Sequence, residues 1–107
     1  MGVQVEAGPY EINTTIAARL VSHLTHRWYD EARDAVGDDP ESGPQQFRID
    51  AFALQRADHV VPKTYKAYRL RPEPRLPLFD FTEEDFDRAR EFIHQAAVAG
   101  LSADYSY

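Results

Sequence analysis

The sequence contains no cysteine. That excludes disulfides, thiolate metal sites and a thiol nucleophile, and it fits a reducing, cytoplasmic setting. No apolar run approaches the roughly 18 residues that a membrane span needs. The opening MGVQVEAG lacks the charged-then-apolar pattern of a secretion signal. Met1-Gly2 begins like a myristoylation site, but Glu6 stands where Ser or Thr is required. Glycine is sparse and scattered, at 2, 8, 37, 43 and 100, so the chain has no Gly-rich phosphate loop. Lysine is sparser still, with Lys63 and Lys66 alone, and arginine supplies the rest of the 12 cationic side chains.

Those 12 cations face 18 Asp and Glu, for a net charge of −6. This balance argues against nucleic-acid binding by the surface as a whole, because phosphate contacts need clustered Lys and Arg. A hydrophobic fraction of 43% is too rich for a disordered chain, and 107 residues are enough to bury a core without staples. One αβ domain over residues 1–107 is the expectation.

Alternation of Val3, Val5 and Ala7 with Gln4 and Glu6 predicts a short strand, closed by a turn at Gly8-Pro9. Asn13 or Thr14 then caps a helix predicted to run to about Val36, with Ala17, Leu20, Val21, Leu24, Trp28, Ala32 and Ala35 on its apolar face. Residues 46–54 read as a strand. Phe47, Ile49, Ala51 and Ala53 share one face, while Phe52 and Leu54 break the phase, as a bulge or a helical turn would. Residues 64–71 read as a second strand, with Lys66, Tyr68 and Leu70 opposite Tyr65, Ala67 and Arg69. Residues 72–81 form a Pro-rich connector, because proline removes ladder donors.

The best-marked element is a helix over residues 82–99. Thr82 is its N-cap, Asp85 completes a capping box, and Phe81 with Phe86 has the spacing of a hydrophobic staple. Phe86, Ala89, Ile93, Ala96 and Ala97 form its buried stripe, with Phe92 at the edge, and Gly100 and Leu101 suit a Schellman end. Residues 101–107 read either as an edge strand or as a loose tail. The resulting order, βαββα(β), is that of the ferredoxin-like class, an α+β fold with two helices on one face of an antiparallel sheet.

No motif announces catalysis. Ser22 and His23 are neighbours in a helix and point about 100° apart, and no nucleophile, base and orienter stand at workable spacing. His23, His26 and Asp30 lie at helical spacings of three and four, which would suit a metal-dependent or small-molecule enzyme. Against that, His26 and Asp30 oppose the apolar stripe, where a solvated face is the simpler account. Lys63, Lys66, Arg69, Arg71 and Arg75, interleaved with Tyr65 and Tyr68, would suit single-stranded nucleic acid on a sheet face, where bases stack and cations follow the backbone. Net acidity opposes it. Arg71, Pro74 and Pro77 also have the spacing of an SH3 ligand, for which a rigid connector is the simpler reading.

Two acidic blocks remain, Asp30, Glu31, Asp34, Asp38, Asp39 and Glu41 in one and Asp80, Glu83, Glu84, Asp85, Asp87 and Glu91 in the other, and of these Asp30, Asp34, Asp38, Asp39, Glu41, Glu83, Glu84 and Asp87 are the expected contacts. With Arg71 and Arg75 in the stretch between them, they define the expected contact surface. The sequence therefore points to a small acidic interaction protein, an inhibitor or adaptor without cofactor or catalysis. It would dock on a larger, nucleic-acid-handling protein that offers a basic surface. Self-association through sheet edges or helices into a homodimer is compatible with this reading.

Overall fold

The computed structural model describes residues 3–25, 46–70 and 80–106. Its elements are β1 (Gln4–Ala7), β2 (Tyr10–Ile12), α1 (Thr15–Leu24), β3 (Gln46–Ile49), α2 (Ala51–Val60), α3 (Tyr65–Arg69), α4 (Glu83–Ala99) and β4 (Ala103–Ser106). The strands form one antiparallel sheet in the order β2-β1-β4-β3. The α+β class is as expected. The order of the described elements is ββαβαααβ, which departs from βαββα(β) at three places.

The first departure is β2. Gly8, at φ +57°, and Pro9, whose ring fixes a negative φ, give the sign pattern of a type II′ turn, which joins strands with the correct twist. The chain therefore returns at once as Tyr10–Ile12, pairing Ala7 with Tyr10 and Val5 with Ile12. Gly8 is packed tightly, since a Cβ there would lie 2.8 Å from Leu101 Cδ1.

The second and third departures are helices where period-two alternation predicted strands. The break in phase at Ala51 marks the end of β3. Asp50 caps α2, its carboxylate accepting from the Ala53 N–H at 2.7 Å. Ala53, Leu54, Ala57 and Val61 then fall on one buried face. Thr64 caps α3 in the same way, accepting from the Ala67 N–H at 3.1 Å. On a strand Tyr65 and Tyr68 would face opposite ways; on α3 they share a face and meet Phe81 and Phe86 edge-on or tilted, at centroid distances of 5.0–6.2 Å.

One face of the sheet is buried through Val5, Ala7, Ile12, Ile49, Ala103 and Tyr105. Against it lie the helices, with α4 packed between α1 and α2 and touching α3. The expected apolar face of α1 is buried at Ala17, Leu20 and Val21. Within the described residues the helix ends at Leu24, where the Thr25 hydroxyl turns back to donate to Val21 O and Ser22 O at 2.8 and 3.1 Å. The predicted continuation to Val36, including Trp28, lies outside the described residues. The opposite sheet face is solvent-facing and carries Gln4, Glu6, Glu11, Arg48 and Asp104.

Both ends of α4 match the sequence reading. Thr82 N donates to Asp85 Oδ2 at 3.0 Å and Asp85 N to Thr82 Oγ1 at 3.2 Å, a complete capping box. At the other end Gly100 sits at φ +70°. Its N–H donates to Ala97 O, and that of Leu101 to Ala96 O, the two bonds of a Schellman motif. Phe92, expected at the edge of the stripe, is fully inside. Residues 103–106 are a strand, and an inner one rather than the edge strand of the expectation.

Candidate interaction surface

The outward side of α4 is set by its inward side. Phe86, Ala89, Ile93 and Ala96 face the core, so at 100° per residue Glu84, Asp87 and Glu91 must form a stripe on the far side, with Glu83 beside them. All four are exposed. Asp85 is excluded from this stripe because the cap consumes its carboxylate. Glu84 accepts from Arg88 at 2.7 Å, an exposed i,i+4 pair that contributes little to stability. Glu83 with Asp87, and Asp87 with Glu91, are like-charged pairs at i,i+4, which is mildly destabilising for a helix.

Beside this stripe, α4 and β2 bound an open groove of about 550 Å³. Tyr10 and Ile12 contribute from the strand, and Arg88, Glu91, Phe92 and Gln95 from the helix. β2 is the outermost strand of the sheet on this side.

A second polar cluster ties α2 to α4. Arg90 is only 6% exposed, and its Nη1 donates to Asp58 Oδ1 at 3.2 Å while Nη2 donates to Asp58 O at 3.2 Å. His94 Nδ1 lies 3.2 Å from both oxygens of the same carboxylate. Arg90 Nε is buried without a hydrogen-bond acceptor among the described residues. No hydroxyl is hydrogen-bonded to His94 among those residues, and the arrangement acts as a tie between two helices rather than as a nucleophile–base pair. Sequence reasoning missed this cluster. His94 and Asp58 are 36 positions apart, and nothing local to either residue joins them.

Of the residues expected to bind a partner, Glu83, Glu84 and Asp87 are brought together on α4. Asp30, Asp34, Asp38, Asp39, Glu41, Arg71 and Arg75 lie outside the described residues. So do His26 and Asp30 of the proposed metal face; His23 is on α1, half-buried. Among the described residues no three His, Cys, Asp or Glu side chains gather as a metal-binding set.

The stacking platform expected for nucleic acid is corrected. Tyr68 is buried and Tyr65 half-buried in the aromatic cluster under α4, on a helix and not on a sheet face. Lys63, Lys66 and Arg69 remain exposed around them, with Arg69 over the Tyr65 ring at 5.8 Å. No helix among the described residues is long and apolar enough to cross a membrane. Comparison of the chain with protein-family models, curated proteins and solved structures finds no match.

Proposed function

We propose that this chain is a non-enzymatic interaction protein that docks on a larger protein and modulates it, its acidic surface meeting a basic one. The observation that carries this reading is the exposed row Glu83, Glu84, Asp87 and Glu91 on α4. Favourable charge at a helix start accounts for Glu83 and Glu84, since that effect fades after the first turn. It does not account for Asp87 and Glu91. Those two stand at like-charged spacings that cost the helix stability, as expected of residues kept for an encounter rather than for the fold.

The test is charge reversal. A variant with Glu83, Glu84 and Asp87 changed to Lys keeps every core and cap contact, so its circular dichroism should match the parent. Affinity capture from lysate, with nuclease present, should then lose the protein partners that the parent retains. Equal capture by parent and variant would refute the reading.

A further inference from the structure

We propose that the groove between β2 and α4 receives an extended basic segment of a partner protein, which adds to the sheet as a fifth strand against β2. This rests on the docking function proposed above and names the mode and chemistry of one contact. Ala7 and Tyr10 flank the two-residue turn and exchange the closing hydrogen bonds, so bonded and non-bonded pairs alternate from there. The Glu6–Glu11 pair is then non-bonded, and the N–H and C=O of Glu11 point outward, to the free edge. Neither group has a partner among the described residues. An incoming strand would find one donor and one acceptor waiting, which is the basis of recognition by strand addition.

Charge identifies the occupant. The register sets Glu11 beside Glu6, Glu6 beside Asp104, and Asp104 beside Arg48, all on the open sheet face. Three carboxylates therefore stand in a row with one cation at the far end, where Arg48 Nε donates to Asp104 Oδ1 at 3.2 Å. Glu11 and Glu6 face each other in a non-bonded pair, where side chains approach most closely and like charges destabilise. Among the described residues, Glu11 has only a 3.5 Å contact from Asn13 Nδ2. A Lys or Arg directly opposite Glu11 on an added strand would close the row with a cation at its open end. The residues on either side of that cation would point to the other face, into the groove that Tyr10, Ile12 and Phe92 line together with Arg88, Glu91 and Gln95, where short apolar side chains would lie against the apolar part. The recognised element is thus a strand with one basic residue between two apolar ones. A phosphate backbone would be repelled by the same row.

Nuclear magnetic resonance titration of the labelled chain with a capped Ser-Val-Lys-Val-Ser pentapeptide, and with its Glu-centred counterpart, tests this. The Lys peptide should move the amide signals of residues 10–13 and 88–95, and should bind about fivefold tighter than the Glu peptide at low salt. Glu11→Lys should reverse that preference. Glu11→Pro removes the outward N–H without touching a native backbone hydrogen bond, losing only the long Asn13 contact, and should abolish binding of both peptides with the fold retained. Shifts confined to α4, or equal affinity for both peptides, would overturn the proposal. Captured partners lost with the α4 charge reversal but kept by Glu11→Pro would overturn this edge contact and leave the docking function standing. Partners kept by both variants would overturn both.

Discussion

Two glycines show how differently a positive φ can be constrained. Gly8 and Gly100 both sit at positive φ, +57° and +70°. A methyl group at position 100 would meet nothing within 4 Å, so Gly100→Ala should cost only the left-handed backbone penalty, about 1 kcal/mol. At position 8 the methyl group would also press on Leu101 Cδ1. Gly8→Ala should therefore cost clearly more than Gly100→Ala, and Leu101→Ala should recover part of the difference. Urea denaturation of the three single variants and of the Gly8→Ala/Leu101→Ala double variant measures this, and equal costs at the two glycines would show that Leu101 yields freely. Both glycines were legible in the sequence as turn and helix-end residues. Their different packing was not, because Leu101 reaches Gly8 from the far end of the chain.

At the scale of elements, both ends of the helix over residues 82–99 and most of its stripe were written in its sequence, while Phe92 and Arg90 lie deeper and Ala97 shallower than its periodicity placed them. The two short helices were not. Over five to ten residues, period-two and period-3.6 patterns overlap, and the shared face that a spacing of three gives Tyr65 and Tyr68 on a helix is too short a signal to decide between them. The deciding signals were Asp50 and Thr64, each a good N-cap three residues before the N–H it satisfies. β2 was hidden for a simpler reason: three residues are too few to show alternation.

The tie between α2 and α4 also belongs to this scale. Asp58→Ala would leave the Arg90 guanidinium buried with, among the described residues, only the backbone carbonyl of position 58 as a partner, at a cost of about 3 kcal/mol. Combining Asp58→Ala with Arg90→Met should cost less than Asp58→Ala alone. A double-mutant cycle by chemical denaturation reads the coupling, and strict additivity would mean that the pair contributes nothing.

At the largest scale, the acidic surface of the described residues divides between two places that no local reading connects: the outward stripe of α4 and the carboxylate row across the sheet. The first was legible as a block of acids. The second required the register, since Glu6, Glu11 and Asp104 come from three strands. The sheet also gives its strands unequal importance. Asp104→Pro in the inner strand β4 removes a ladder donor between β1 and β3 and should abolish cooperative thermal unfolding, whereas Glu11→Pro at the edge should leave it intact. Comparable melting of the two variants would show that β4 is dispensable to the sheet.

The position of β4 matters in time as well as in space. It joins β1 to β3, yet it follows every other element in the chain, and Asp104 lies 56 positions beyond its partner Arg48. During synthesis, the hairpin and β3 are made well before the strand that unites them, and each waits with an open flank. Open flanks of neighbouring nascent copies are prone to pair with one another. Glu6 and Glu11 on the waiting hairpin put like charge on both sides of any such encounter. The same carboxylates that would welcome a basic segment oppose pairing between two copies of the hairpin, since like charges set across a strand pair destabilise it.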